Sequence, residues 1–307
     1  MVAKAELIAA AVLLVGCIAA WSVLLWRRSM GGSLVEYEPR RPVPWDLPVV
    51  APAIVLFLGI RIGFVFWAQQ HVAADVALNE RLQQTGDPLS AWGEPDYARP
   101  MFQAAAASQF VTAIVIALVL AIVFRANRND MGFSARRWAY DLRLGVIGFF
   151  ALAVPALLLQ GALQSLIVES QHPIVLAFKN STDGSAFLWA AVAAVVVAPT
   201  VEEFLFRCVL QGMFERIWSE PSPAIIVNQA EALPPVAAEP QSVAPIFFSA
   251  GIFALMHLTS GIDVIPLFFL ALGLGYLYRQ THRLAPGIVV HTLLNAFSMV
   301  VLLMQTK

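Results

Sequence analysis

From Ser185 to Val201 the chain runs for 17 residues without a charge, and comparable apolar runs recur along its length. Such runs constrain the fold more than any other feature of the sequence. A hydrocarbon layer about 30 Å thick offers no water to backbone N–H and C=O groups, so a crossing segment satisfies them internally as a helix or in a closed barrel. At about 1.5 Å per residue, roughly 20 apolar residues are enough for a helix to cross. Eight stretches qualify, at about 5–26, 47–68, 104–124, 142–168, 185–212, 243–262, 264–281 and 284–304. Charged residues make up 13% of the chain, against about 25% in soluble domains. The expected fold is all-α, a polytopic membrane helix bundle of about eight transmembrane helices.

The distribution of Lys and Arg orients the bundle. With the N-terminus outside, 12 of the 19 basic residues fall in inside-facing segments and 5 in outside-facing ones, while Arg61 and Arg207 lie within spans. Both termini are therefore expected outside. Leu14-Val15-Gly16-Cys17 is similar to a lipoprotein-processing box, but the apolar run continues to Trp26 and stops at Arg27-Arg28, as an uncleaved span would. Cys17 and Cys208 give no disulfide framework and no CxxC metal spacing. A net charge of −1 points to no nucleic-acid partner.

Two organisational units are expected. Residues 1–141 hold N-terminal transmembrane helices with an extramembrane loop at 69–103, and residues 142–307 form a catalytic helix bundle. The second unit is interrupted at 218–245 by a Pro-rich insertion, expected to be cytoplasmic and flexible.

The sequence Val201-Glu202-Glu203-Phe204-Leu205-Phe206-Arg207 places three ionisable groups at the end of the charge-free run. A charge at the centre of a span costs about 2.5–3.5 kcal/mol on insertion scales, so charges there face a bundle interior or a water-filled cavity and mark function. Glu203 and Arg207 are four apart and share a helix face in the favourable acid-before-base order. Glu202 is rotated about 100° from Glu203 and is left free for other work. Pro199, three residues earlier, is positioned to kink the helix.

Two further spans carry polar groups at similar depth. FFSAGIFALMHLTSG sets Phe253 and His257 four apart, with His257 expected near mid-helix, and APGIVVHTLLNAF sets His291 and Asn295 four apart. His71, His172 and His282 fall in or beside loops and receive no catalytic role. Counting along the helices puts Glu202 and His257 roughly 15 Å, and His291 roughly 10 Å, from the cytoplasmic side. A carboxylate with two imidazoles suits hydrolysis by water in either of two ways. Glu202 acts as general base on a water oriented by His257, while His291 and Asn295 stabilise an oxyanion. Alternatively, Glu202, His257 and His291 ligate a Zn²⁺ that polarises the water. No HExxH and no GxSxG is present.

Taken in order, Glu202-Glu203-xxx-Arg207, Phe253-xxx-His257 and His291-xxx-Asn295 resemble the CPBP family of membrane proteases, which groups CAAX prenyl endopeptidases with Abi-type relatives. The run LFFLALGLGYLYRQTHRLAPGIVVHTLLNAF is also similar to that family's sequence between its second and third motifs. The resemblance covers roughly 185–304. It implies that Glu202 activates water with His257 as partner or metal ligand, that Glu203 and Arg207 hold the motif helix, and that Phe253 packs or faces substrate. It further implies that His291 and Asn295 bind oxyanion or metal. Thr281-His282-Arg283-Leu284 departs from the Thr-Gly-Ser-Leu run frequent in the family.

The function expected is an intramembrane endopeptidase, acting in the cytoplasmic half of the membrane on a membrane-bound or lipidated polypeptide, prenylated ones included. Its partners are then the lipid bilayer and that polypeptide. Two rivals remain open on the sequence: a non-enzymatic immunity or scaffold protein, and an ion-coupled transporter.

Overall fold

The computed structural model describes residues 2–75, 78–80, 91–92, 94–164, 184–218 and 242–305. Among these no strand occurs. The helices are α1 (Val2–Ser29), α2 (Leu47–Ala73), α3 (Pro95–Val123), α4 (Trp138–Gln164), α5 (Gly184–Trp218), α6 (Ala244–Leu255), α7 (Val264–Thr281) and α8 (Ala285–Gln305). All but α6 are long and apolar enough to cross a membrane, so the chain is an integral multi-pass membrane protein.

Eight spans were expected and seven helices qualify. The difference lies in the sixth. The apolar stretch 243–262 is α-helical only from Ala244 to Leu255; it then turns and continues as a 3₁₀ helix, Leu258–Asp263, with Gly261 outside helical geometry (φ 69°). Twelve α-helical residues reach about 18 Å, well short of the hydrocarbon core. Hydropathy does not register this break, because Met256, Leu258 and Ile262 keep the stretch apolar. Elsewhere the expected spans match the helices in place, with some ends extended. The third begins nine residues early, where Pro95 supplies the fixed φ of a helix start. The insertion expected at 218–245 and the tip of the loop expected at 69–103 lie largely outside the described residues.

Packing positions the site through α4, α5, α6, α7 and α8. Small residues set the close approaches, since a membrane interior supplies no hydrophobic drive between helices. Gly145 and Gly148, nearly one turn apart on α4, face Val289 and Val290 of α8; a Cβ added at either would come within 3.0 Å of those side chains. His291 follows directly. α6 folds back antiparallel on α7, so that the Arg279 guanidinium donates to Ser242 O across their far ends.

One end of the bundle is closed by ion pairs. Arg283, in the α7–α8 turn, donates through Nε to both oxygens of Asp141 at 2.8 Å and through its other nitrogens to Glu38. Arg137 also reaches Glu38 (2.8 Å), and Arg41 holds Asp130 (2.9 Å). These pairs tie the strap between α1 and α2 (residues 30–46) to the α3–α4 loop and the α7–α8 turn. Burial acts to raise the Glu38 pKa, but hydrogen bonds and charge from Arg283 and Arg137 outweigh it and bring the carboxyl below its usual range. In the same turn His282 occupies the left-handed region (φ 50°), a conformation open to Gly at no cost and to His more readily than to most residues. Burial, then Arg40, Arg283 and Arg279, push its pKa well below the ordinary 6.5 and keep the ring neutral.

Candidate active site

The helix α5 is not wound uniformly. Val192–Val197 and Glu203–Gln211 are π-helical, and Glu202 ends the short α-helical piece Ala198–Glu202 between them. π-Helical turns are rare and concentrate at functional sites. Pro199 accounts for part of this winding. It has no N–H to donate and its ring collides with the carbonyl four residues back, so the widened turn before it relieves the clash. The kink expected at Pro199 is thus realised as a change of winding.

The two glutamates divide as the spacing implied. Glu203 is buried (1% of its side chain exposed), with Oε2 3.3 Å from Arg207 Nε. Arg207, fully buried, lies over the Phe253 ring at 5.3 Å and donates to Ser249 Oγ at 3.3 Å. Ser249 in turn donates to Phe206 O at 2.7 Å, stitching α6 to α5. Glu202 keeps 17% of its side chain exposed. Its Oε2 lies 3.9 Å from His291 Nε2, while Glu203 Oε1 lies 3.5 Å from His291 Nδ1. The imidazole of α8 therefore stands between the two carboxylates. Gly287, one turn before it, makes room for them: a Cβ there would lie 2.6 Å from Glu203 Oε2.

His257 sits just beyond the end of α6 rather than near mid-helix, because the helix stops at Leu255. There its Nδ1 pairs with Phe253 O at 2.8 Å, one of the carbonyls that a helix end leaves without a backbone donor. A carbonyl only accepts, so in the neutral ring Nδ1 carries the hydrogen and Nε2 is the basic nitrogen. The Phe253 ring lies between the histidines, 4.7 Å from His257 and 6.2 Å from His291 by centroids. Asn295 spends one N–H on Ala194 O, in the first π-helical segment, at 2.7 Å.

The structure therefore brings Glu202, Glu203, Arg207 and His291 into one cluster, with Phe253 as its wall. His257 makes no ion-pair contact with either carboxylate, and Asn295 points one amide hydrogen at the backbone. Two residues that support the cluster are not marked in the sequence: Ser249, which holds Arg207, and Gly287, which makes room for Glu203.

For a Zn²⁺ the donor set is short. Glu202 and His291 are adjacent, but among the described residues no three His, Cys, Asp or Glu side chains converge to hold an ion. The arrangement does not fit a three-ligand metal centre among the described residues.

Residues 184–297 match the family described as type II CAAX prenyl endopeptidase Rce1-like. The Rce1-like region runs from the start of α5 into α8 and contains every residue of the cluster. The match spans little more than a third of the chain, and the description of the matched family is that of a prenyl endopeptidase. No curated protein and no solved structure matches the chain.

Proposed function

We propose that the protein is an intramembrane endopeptidase that cleaves a membrane-bound polypeptide, lipidated or prenylated ones included, with a water activated by Glu202. The observation that carries this reading is the unequal treatment of two adjacent carboxylates. Glu203 is sealed against Arg207, whereas Glu202 retains an open face beside His291. A carboxylate that is placed by a rigid neighbour and still reachable by water is suited to general-base work.

In this mechanism Glu202 takes a proton from water as the oxygen attacks the peptide carbonyl. His257 Nε2, made basic by the hydrogen fixed on Nδ1, orients that water. The tetrahedral oxyanion is stabilised by N–H donors from His291 and from the second amide hydrogen of Asn295. The proton on Glu202 then passes to the departing amine, which balances the hydrolysis. The clustering of Arg40, Arg41, Arg137, Arg216, Arg279 and Arg283 at the nearer end of the bundle supports an active site in the cytoplasmic half of the membrane.

The test is cleavage of a farnesylated CAAX-tailed peptide, and of the same peptide without the lipid, by purified protein in nanodiscs. The wild type is expected to release the tail, and Glu202→Gln to lose at least about a thousandfold in kcat while keeping its melting temperature. Turnover retained in Glu202→Gln would remove Glu202 from the mechanism. Inhibition by a metal chelator, reversed by Zn²⁺, would replace the metal-free scheme.

A further inference from the structure

Glu202 lies between two π-helical segments, so its aim depends on what keeps both of them wound wide. The first is held by Asn295, whose amide donates to Ala194 O. The second is held from outside the Rce1-like region. Trp45, in the strap between α1 and α2, donates its indole N–H to Val209 O at 3.0 Å. Val209 stands near the junction where the winding returns to α. There the Gly212 N–H reaches both Arg207 O, five residues back, and Val209 O, three back. At this change of spacing Val209 O accepts the three-residue bond from Gly212, and the Trp45 indole N–H adds a second, side-chain donor to the same carbonyl.

The rest of the strap is fitted to the same spot. Trp45 is completely buried, in a core cluster that includes Phe204, Cys208, Val209 and Met213 of α5. Arg216 donates back to the carbonyls of Val43 and Trp45 at 3.0 and 3.3 Å. Gly212 is the point of closest approach: a Cβ there would lie 3.1 Å from Val43 Cγ1 and 3.3 Å from Arg40 Nη2. Rewinding the segment into α would turn the helix beyond Gly212 against Glu202 by about one residue, roughly 100°. The Trp45 hydrogen bond at Val209 opposes that rotation.

We propose that Trp45 is a positioning residue for the hydrolysis: its indole N–H locks the second π-helical segment and so fixes Glu203 and Arg207 behind Glu202. The proposal rests on Glu202 being the working carboxylate. Trp45 is completely buried beneath α5, outside the Glu202 cluster, and acts through Val209.

Two variants separate locking from filling. Trp45→Phe keeps an aromatic ring in the pocket and deletes the donor; Val43→Ala opens a cavity in the same cluster and keeps it. Trp45→Phe is expected to lower kcat on the farnesylated peptide about tenfold, the worth of one well-made hydrogen bond, with KM within about twofold. Hydrogen exchange is expected to rise across amides 203–214 and to stay unchanged across α8. Val43→Ala is expected to lower the melting temperature with kcat and the exchange at 203–214 unchanged. Wild-type kcat or wild-type exchange in Trp45→Phe overturns the proposal, as does loss of kcat in both variants in proportion to their melting temperatures. If the wild type cleaves no peptide, the proposed activity fails, and the exchange measurement alone decides the lock.

Discussion

Two buried polar clusters stand in the same bundle and are built to opposite rules. At the closed end, Arg283, Asp141, Glu38 and Arg137 pair closely, and both Asp141 oxygens are engaged at 2.8 Å. In the active site the spacings are 3.3, 3.5 and 3.9 Å, and Glu203 Oε1, Arg207 Nη2 and His291 Nδ1 are buried without a hydrogen-bond partner. Within the Arg283–Asp141–Glu38 group every buried side-chain donor and acceptor is engaged, although His282, Arg279 and Arg40 beside it keep buried nitrogens without a hydrogen-bond partner. That group holds the strap, the α3–α4 loop and the α7–α8 turn together. The Glu202–His291 cluster keeps hydrogen-bonding capacity in reserve, which the proposed hydrolysis would use on water and a peptide group. Buried polar groups are costly unless paired. A cluster that leaves three of them unsatisfied is stable only inside a frame that is itself firmly tied.

The comparison breaks most visibly if the saturated cluster is opened. Arg283→Met leaves Asp141 buried and alone, and is expected to cost about 3–5 kcal/mol of stability, read as a large fall in melting temperature in nanodiscs. If Arg283→Met melts like the wild type, the closed end is not the frame. Gly287→Ala probes the unsaturated cluster. Its methyl would push Glu203 off His291, and kcat is expected to fall about thirtyfold, roughly 2 kcal/mol, with little change in melting. Ser249→Ala removes one support of Arg207 and is expected to cost about 1 kcal/mol, divided between melting temperature and kcat.

The smallest effect is on acid stability. The Glu38 carboxyl titrates below its ordinary 4.5 when folded, so the stabilisation it gives is complete above about pH 4.5 and fades as pH falls through the folded value. His282 stays neutral when folded while the unfolded ring protonates near its ordinary 6.5, so its contribution begins to fade sooner, as pH drops below about 6.5. Melting temperature is therefore expected to fall in two steps on acidification, and Glu38→Gln to flatten the lower one. A single step in both proteins would remove Glu38 from the account.

The sequence made the crossings legible, because the bilayer demands apolar length and little else. The division of Glu202 from Glu203 was legible too, since it follows from helical spacing to Arg207. What escaped was decided by contacts remote in the chain. The end of α6 at Leu255 is hidden inside an unbroken apolar run, and with it the place of His257. Asn295 reads as a site donor until Ala194, 101 residues away, is found to accept from it. Trp45 reads as one more aromatic at a membrane edge, and only the carbonyl of Val209, 164 residues further on, shows otherwise. Gly287 and Ser249 are small, neutral and unpatterned, so no period or charge draws notice to them.

The closing salt bridges also impose a timetable on synthesis. Glu38 and Arg283 are 245 residues apart, which at about 5–20 residues per second means Glu38 waits roughly 12–50 s for its partner to be made. Throughout that interval α1 to α7 enter the bilayer with Glu38 and Asp141 lacking their shared guanidinium. Arg283 emerges at the head of α8, the same helix that brings Gly287, His291 and Asn295. The frame closes and the Glu202–His291 cluster is completed by a single insertion, so a nascent chain has neither until α8 has been translated.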